Sequence, residues 1–176
     1  MPVTASVAVA LKGIMAEEKT YTLTEAHLHF AKSLNGRAWD LLEKPERTPR
    51  EDEIMLLAAY ASCYHWIQVG TAVNQQRGEW LIARVYTVLG RKEMALEHAR
   101  RCFELTEQFG KEMEDFDHAY AYEGLARAHA LAGETGFAKH YFEMAKQAGE
   151  AIKNEEDRKI FMNDIVSGIW YDLKVG

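Results

Sequence analysis

Proline is nearly absent from this sequence, and its scarcity limits the folds that the chain can adopt. Three prolines occur, Pro2, Pro45 and Pro49, so residues 50–176 contain none. Because proline removes a backbone donor and breaks a helix, helices can run through this stretch without a proline break. Alternating apolar and polar runs rich in Val, Ile and Thr are also nearly absent after residue 20, so we expect no sheet. The sequence therefore predicts an all-α protein.

The sequence also lacks a basic surplus, long apolar runs and paired cysteines. Its net charge is -6, which argues against a nucleic-acid partner, since such proteins usually carry a basic face. No window approaches the ~18–20 apolar residues of a membrane span, and the start has no basic region typical of a signal peptide. Cys63 and Cys102 have no C-x-x-C partner, which predicts buried free thiols in a reducing compartment. We therefore expect a cytoplasmic protein without a membrane partner.

Apolar residues that recur at helical spacing, bounded by start and stop signals, predict a series of helices. Thr22 with Glu25, and Thr48-Pro49 with Glu51, are capping boxes, in which a side chain and the backbone satisfy each other's open groups. The predicted helices cover residues 22–43, 51–70, 77–89, 92–108 and 112–132, a stretch from Gly133 to about 149, and 155–173. Residues 71–76 are interpreted as a connector or as a frayed first turn of the next helix. Residues 1–20 form an ambiguous N-terminal arm, and residues 21–176 form a single helical domain.

An internal repeat with a period of 43 residues is visible in the second half of the chain. Gly90 and Gly133 stand 43 residues apart, and each ends the first helix of a predicted hairpin. Residues of the same kind recur at that separation, namely Ala83 with Ala126, Arg84 with Arg127, Ala95 with Ala138, and Cys102 with Ala145. Small residues at these positions let the two helices of a hairpin touch, with glycine in the turn between them. A hairpin of this kind buries its apolar face only by stacking on its neighbours.

This spacing of small residues around a turn glycine resembles the tetratricopeptide repeat, over roughly residues 77–150. The period is 43 residues rather than the 34 of that family, His129 stands where an aromatic residue is usual, and no proline ends the repeat. The resemblance implies stacked antiparallel helix hairpins forming a short α-solenoid, with the last helix, 155–173, as its terminal cap. It also implies a concave groove lined by the first helix of each hairpin.

The resemblance, carried over by position, implies that six side chains line this groove: Arg77, Trp80, Arg84, Tyr120, Glu123 and Arg127. The two arginines at the same repeat position can grip a carboxylate or an acidic peptide with bidentate geometry. Trp80 and Tyr120 can supply apolar anchors. The alternative is that Arg84 pairs internally with Glu123, and Arg127 with another acid. We expect an interaction module that binds a protein or peptide, with an acidic or carboxylate-ended segment as one form of the partner.

A second hypothesis is a helical protein that binds a small molecule or a metal in a pocket near His65 and Arg77. His27 and His65 lie on neighbouring predicted helices, and together with an acid they could form a metal site inside a helical bundle. The sequence has no H-E-x-x-H or Glu-x-x-His pattern and no phosphate loop, so we assign no catalytic residue, no metal ligand set and no cofactor. A binding protein is favoured over an enzyme. Apolar ends of a short array leave a homodimer open as well.

Overall fold

The computed structural model describes residues 20–174, and these fold into seven α-helices without a strand among them. The helices are α1 (Leu23–Leu42), α2 (Pro49–Val69), α3 (Ala72–Val88), α4 (Lys92–Gln108), α5 (Asp115–Leu131), α6 (Thr135–Glu150) and α7 (Glu155–Val166). The all-α prediction is confirmed. Residues 1–19, which make up nearly all of the ambiguous arm, lie outside the described residues. Within residues 20–174 no helix combines the length and the apolar character that crossing a membrane requires.

Both predicted capping boxes are confirmed at the starts of α1 and α2. The backbone N–H of Glu25 donates to the hydroxyl of Thr22 at 3.2 Å, and the Glu25 carboxylate accepts from the backbone of Thr22 at 2.8 Å. Thr48 and Glu51 repeat this exchange at 3.3 and 2.9 Å. Hydrogen bonds from Lys44 and then from the backbone of Thr48 lower the pKa of Glu51 to about 2. Local sequence alone therefore sets where these helices begin.

Two helix boundaries differ from the prediction by more than three residues. Helix α3 includes the predicted connector, because the side-chain oxygen of Asn74 accepts from the backbone N–H of Thr71 at 3.0 Å and so satisfies an open donor at the helix start. Helix α7 ends at Val166 and not near residue 173. Gly168 has a φ of 73°, a left-handed conformation that glycine adopts without steric cost, and the chain leaves the helix there. The apolar residues 169–173 therefore belong to a non-helical segment.

The helices pack in consecutive pairs, α1 with α2, α3 with α4, and α5 with α6. Helices α2 and α3, and α4 and α5, join one pair to the next, and α3 also contacts α5 directly. Helix α7 packs on both α5 and α6. Helix α5 thus has neighbours on most of its circumference, and its polar residues Asp117, Glu123, Arg127 and His129 are buried with its apolar ones. The centre of the fold is consequently a helix that carries buried charges.

The 43-residue repeat is visible in the geometry of the turns between paired helices. Gly90 and Gly133 have φ values of 69° and 75°, a backbone conformation that favours glycine. In each turn the next backbone N–H reaches back to a carbonyl five residues earlier, at 2.9 Å in both cases, as in a Schellman motif. The small residues predicted to lie between helices are all buried, namely Ala83, Ala95, Cys102, Ala126, Ala138 and Ala145.

A stacked pair of rings recurs between the helices of two hairpins, with the residue types exchanged. Tyr86 stacks on His98 with ring centroids 5.6 Å apart, and His129 stacks on Tyr141 at 5.5 Å. Both pairs occupy the same repeat positions, since each member is 43 residues from its counterpart. Their recurrence indicates that these rings hold the hairpins together.

Candidate functional site

The six residues predicted to line a groove all lie on α3 and α5, which pack side by side. They divide into two groups along these helices. Arg84, Glu123 and Arg127 form an internal ion network towards the C-terminal ends. The remaining three, Arg77, Trp80 and Tyr120, line an open pocket towards the N-terminal ends.

Glu123 is the centre of the ion network, and its side chain is 2% exposed. The guanidinium of Arg127 donates to its carboxylate, Nη1 of Arg84 lies 3.6 Å from it, and the indole N–H of Trp80 donates to it at 3.0 Å. Burial by itself raises the pKa of the Glu123 carboxyl, but Arg127 and Arg84 more than offset this, so that the pKa is lowered. The carboxylate therefore stays ionised. Arg84 pairs with Glu123 as the alternative interpretation has it, but Arg127 pairs with the same carboxylate and not with another acid.

Arg127 is covered by the chain that leaves α7, and its side chain is only 1% exposed. Its guanidinium donates to the backbone carbonyls of Asp164 at 2.9 Å, Ser167 at 3.0 Å and Ile169 at 3.0 Å. The ring of Trp170 lies 4.0 Å from the guanidinium carbon, in cation–π geometry. An external ligand reaches Arg127 only if this segment is displaced, so the arginine has a structural role in this conformation.

The same segment lies over Arg84 at the end of α3. A Cβ atom at Gly168 would stand 2.9 Å from Nη2 of Arg84, so the backbone of the segment passes close to this guanidinium. Further on, the hydroxyl of Tyr171 donates to the backbone carbonyl of Thr87. Burial lowers the pKa of Arg84. The C-terminal end of the surface formed by α3 and α5 is thus filled by the chain itself.

The N-terminal end of the same surface holds a pocket of about 260 Å³ between α1, α3 and α5. Its wall is mainly aromatic, since the rings of Trp39 and Trp80 lie 5.8 Å apart and those of Trp80 and Tyr120 5.1 Å apart. We call this the aromatic pocket, lined by Asn35, Trp39, Gln76, Arg77, Trp80, Leu81, Phe116, Asp117 and Tyr120.

Arg77 provides the accessible charge at the aromatic pocket. Its Nε and Nη2 donate to the two carboxylate oxygens of Asp117 at 2.8 and 2.9 Å, and its guanidinium carbon lies 4.9 Å from the centre of the Phe116 ring. The hydrogen bond to Asp117 raises the pKa of Arg77. The side chain is 44% exposed, and the described hydrogen bonds leave its Nη1 unused. This nitrogen can donate to an oxygen of a ligand.

The second hypothesis expected His65 and Arg77 to lie beside one pocket. In the structure the two side chains contact different partners. Nδ1 of His65 lies 2.9 Å from Nδ1 of His27, whereas Arg77 pairs with Asp117. His65 lines neither of the two described cavities that Arg77 borders. Between residues 20 and 174 no group of three or more His, Cys, Asp or Glu side chains is placed to hold a metal ion.

Both cysteines are buried and free, as the sequence predicts. Burial raises the pKa of the Cys63 thiol to about 12, and that of Cys102 well above its usual value. A thiol nucleophile acts as the thiolate. These two residues are therefore chemically inert packing groups.

The pocket also contains Asn35, Trp39, Phe116 and Asp117, which were not predicted from the sequence. The first two belong to α1, outside the repeat that supplied the positions, although their spacing of one helical turn puts them on one face. Asp117 looks like one more acid in a polar helix start. Comparisons with protein-family models, with curated proteins and with solved structures find no match to this chain. The functional interpretation consequently rests on the geometry of the site.

Proposed function

We propose that this protein is an interaction module that binds a segment of a partner protein and seats one apolar or aromatic side chain of that segment in the aromatic pocket. The observation that carries the proposal is the pocket wall, in which Trp39, Trp80, Phe116 and Tyr120 come from three helices that a single strand of peptide can cross. Aromatic side chains supply large contact areas at a small entropic cost, which is why they are enriched where binding energy concentrates.

The size of the pocket favours one side chain over a whole small molecule. Pockets for drug-sized ligands typically measure about 300–1,000 Å³, and this one measures about 260 Å³. It is also open to solvent on one side, where Arg77 and Asn35 lie. A peptide that places its anchor in the pocket and continues across the surface uses both features.

Arg77 defines the chemistry of the partner beside the anchor. Because Asp117 occupies Nε and Nη2, the guanidinium can offer Nη1 to a backbone carbonyl or a carboxylate. An acidic residue or a terminal carboxylate next to the anchor fits this position. The proposed partner segment therefore has an apolar anchor residue next to a hydrogen-bond acceptor. In this proposal one arginine, Arg77, contacts the acceptor, in place of the two arginines expected from the sequence.

The proposal includes a tetratricopeptide-like arrangement of the helices, with α7 as its terminal cap. It is supported by the contact of α3 with α5, the first helices of successive hairpins, and by the glycine turns 43 residues apart. In such a stack the first helices form one surface, and α1, α3 and α5 all contribute to the aromatic pocket. Binding on that surface needs no reacting group. The two ionisable side chains that line the pocket apart from Arg77 already have partners, since Asp117 pairs with Arg77 and Tyr120 donates to Asp164 at 2.5 Å.

The experiment is a selection of random 12-residue peptides displayed on phage against the full chain, followed by titration calorimetry of the enriched peptides. Asn35→Arg is the test variant, because Asn35 lies at the pocket and a long side chain there blocks it without removing a wall. Ser33→Arg, on an exposed position of the same helix, is the matched control. We expect the peptides to share an apolar or aromatic anchor. We also expect Asn35→Arg to weaken them at least about tenfold, and Ser33→Arg to leave the affinity unchanged.

Two outcomes contradict the proposal. One is a set of enriched peptides that bind Asn35→Arg as tightly as the original chain, which would place the binding surface elsewhere. The other is a selection that enriches no peptide at all. Circular dichroism of both variants ensures that a loss of binding is not a loss of fold.

A further inference from the structure

His27 on α1 and His65 on α2 face each other away from the aromatic pocket. Their Nδ1 atoms lie 2.9 Å apart, and their ring centroids are 5.0 Å apart. Both side chains are partly exposed. His65 also packs on the rings of Phe30 and Tyr64, with centroids 5.4 and 5.6 Å away. Two imidazole nitrogens are thereby directed towards each other from different helices and held there by aromatic neighbours.

We propose that His27 and His65 together chelate one divalent late-transition metal ion, of the class of Cu²⁺, Ni²⁺ and Zn²⁺, between α1 and α2. Imidazole nitrogen is a preferred ligand for these ions. Bonds from one ion to two nitrogens are about 2.0–2.1 Å long. If they meet at about a right angle, the two nitrogens lie nearly as far apart as the two Nδ1 atoms do here, at 2.9 Å. Two ligands at a right angle occupy adjacent coordination positions in the square-planar or octahedral geometry that is typical of Cu²⁺ and Ni²⁺. Water fills the other positions.

The protonation of the pair is compatible with this role. Burial and the proximity of His27 lower the pKa of His65, so this imidazole is neutral at neutral pH, and a metal ligand must be unprotonated. The present hydrogen bond between the rings uses the proton of one nitrogen and the lone pair of the other. On metal binding the ring that carries the Nδ1 proton gives it to water and takes up a proton from water on Nε2, so that both rings stay neutral and both Nδ1 lone pairs are free for the ion. Each ring turns so that its Nδ1 lone pair points to the ion and not to the other ring.

The test is titration calorimetry of Ni²⁺ into the full chain, purified without a polyhistidine tag, with Mg²⁺ as a hard cation that imidazole does not favour. The variants are His27→Asn, His65→Asn and the double variant. His29→Asn is the matched control, because His29 is an exposed histidine two residues from His27 on the same helix. We expect one Ni²⁺ to bind per chain, and no binding of Mg²⁺. His27→Asn and His65→Asn should each raise the dissociation constant for Ni²⁺ at least about tenfold, whereas His29→Asn should change it by less than about twofold.

The double variant separates a chelate from two independent histidines. Removing either nitrogen destroys the chelate, so the affinity lost in the double variant should be smaller than the sum of the two single losses. Electron paramagnetic resonance of the Cu²⁺ form should show two equivalent nitrogen ligands, and one after either substitution. Small and additive losses in the single variants, or Ni²⁺ binding unchanged in His65→Asn, would overturn the proposal.

Discussion

Replacing Arg127 with methionine removes the charge that neutralises Glu123 while keeping a long apolar side chain against Trp170. The change leaves the Glu123 carboxylate buried with one remaining cation, Arg84, at 3.6 Å. It also removes the donor for the backbone carbonyl of Asp164 in the last turn of α7 and for those of Ser167 and Ile169 beyond it. The variant therefore tests whether Arg127 stabilises the fold, or whether its contacts with the terminal segment contribute little to stability.

The expected loss follows from the burial of the pair. Breaking a buried ion pair from one side costs about 3–5 kcal/mol, and the continuing attraction of Arg84 puts this case near the lower end, at about 3–4 kcal/mol. Domains of this kind have a total stability of about 5–15 kcal/mol, so the variant should still fold. With a urea dependence of about 2 kcal/mol per molar, the midpoint of unfolding should fall by about 1.5–2 M.

Urea denaturation followed by circular dichroism measures this loss, and two further variants make it diagnostic. Arg84→Met should cost about 1 kcal/mol, because this side chain is partly exposed and is farther from Glu123. The double variant Glu123→Gln, Arg127→Met should be more stable than Arg127→Met alone, since no unpaired carboxylate remains. A loss below about 1 kcal/mol in Arg127→Met, or a double variant whose losses simply add, would refute the reasoning.

Four further predictions concern stability. The pKa of Glu123 is lower in the folded protein than its ordinary value of 4.5. The ionised carboxylate therefore contributes stability that is fully present at a pH above 4.5 and is lost as the pH falls through the pKa of the folded state. Glu123→Gln should therefore lose less stability than the original chain between about pH 6 and pH 3, as urea midpoints will show. Thr48→Ala should cost about 1 kcal/mol through loss of the cap of α2, measured by thermal denaturation. Gly133→Ala should destabilise by about 1–2 kcal/mol because its φ is 75°. Gly36→Ala, in the middle of α1 with nothing within 4 Å, should stabilise by about 0.5–1 kcal/mol in the same melts.

Features fixed by nearby residues were predictable from the sequence. The starts of α1 and α2 depend on Thr22 and Thr48 with an acid three residues later, and both are confirmed. The turn glycines and buried alanines follow from a repeat that compares the chain with itself. The apolar residues after Val166 continue a helical pattern, so the sequence extended α7 through them. That helix ends because Gly168 takes a left-handed conformation and Arg127, some 40 residues earlier, binds the carbonyls of the terminal segment.

The site was harder to predict than the fold because equal repeat positions do not have equal neighbours. Arg84 and Arg127 are equivalent in sequence, but the described hydrogen bonds to carbonyls of the segment that follows α7 come from Arg127 and not from Arg84. Trp80 and Glu123 are likewise equivalent, and stacking of the helices makes them adjacent, so that the indole N–H donates to the carboxylate. One end of the surface is therefore closed by its own residues. At the other end, Trp39 of α1 joins Trp80 and Tyr120, and these side chains line the open aromatic pocket.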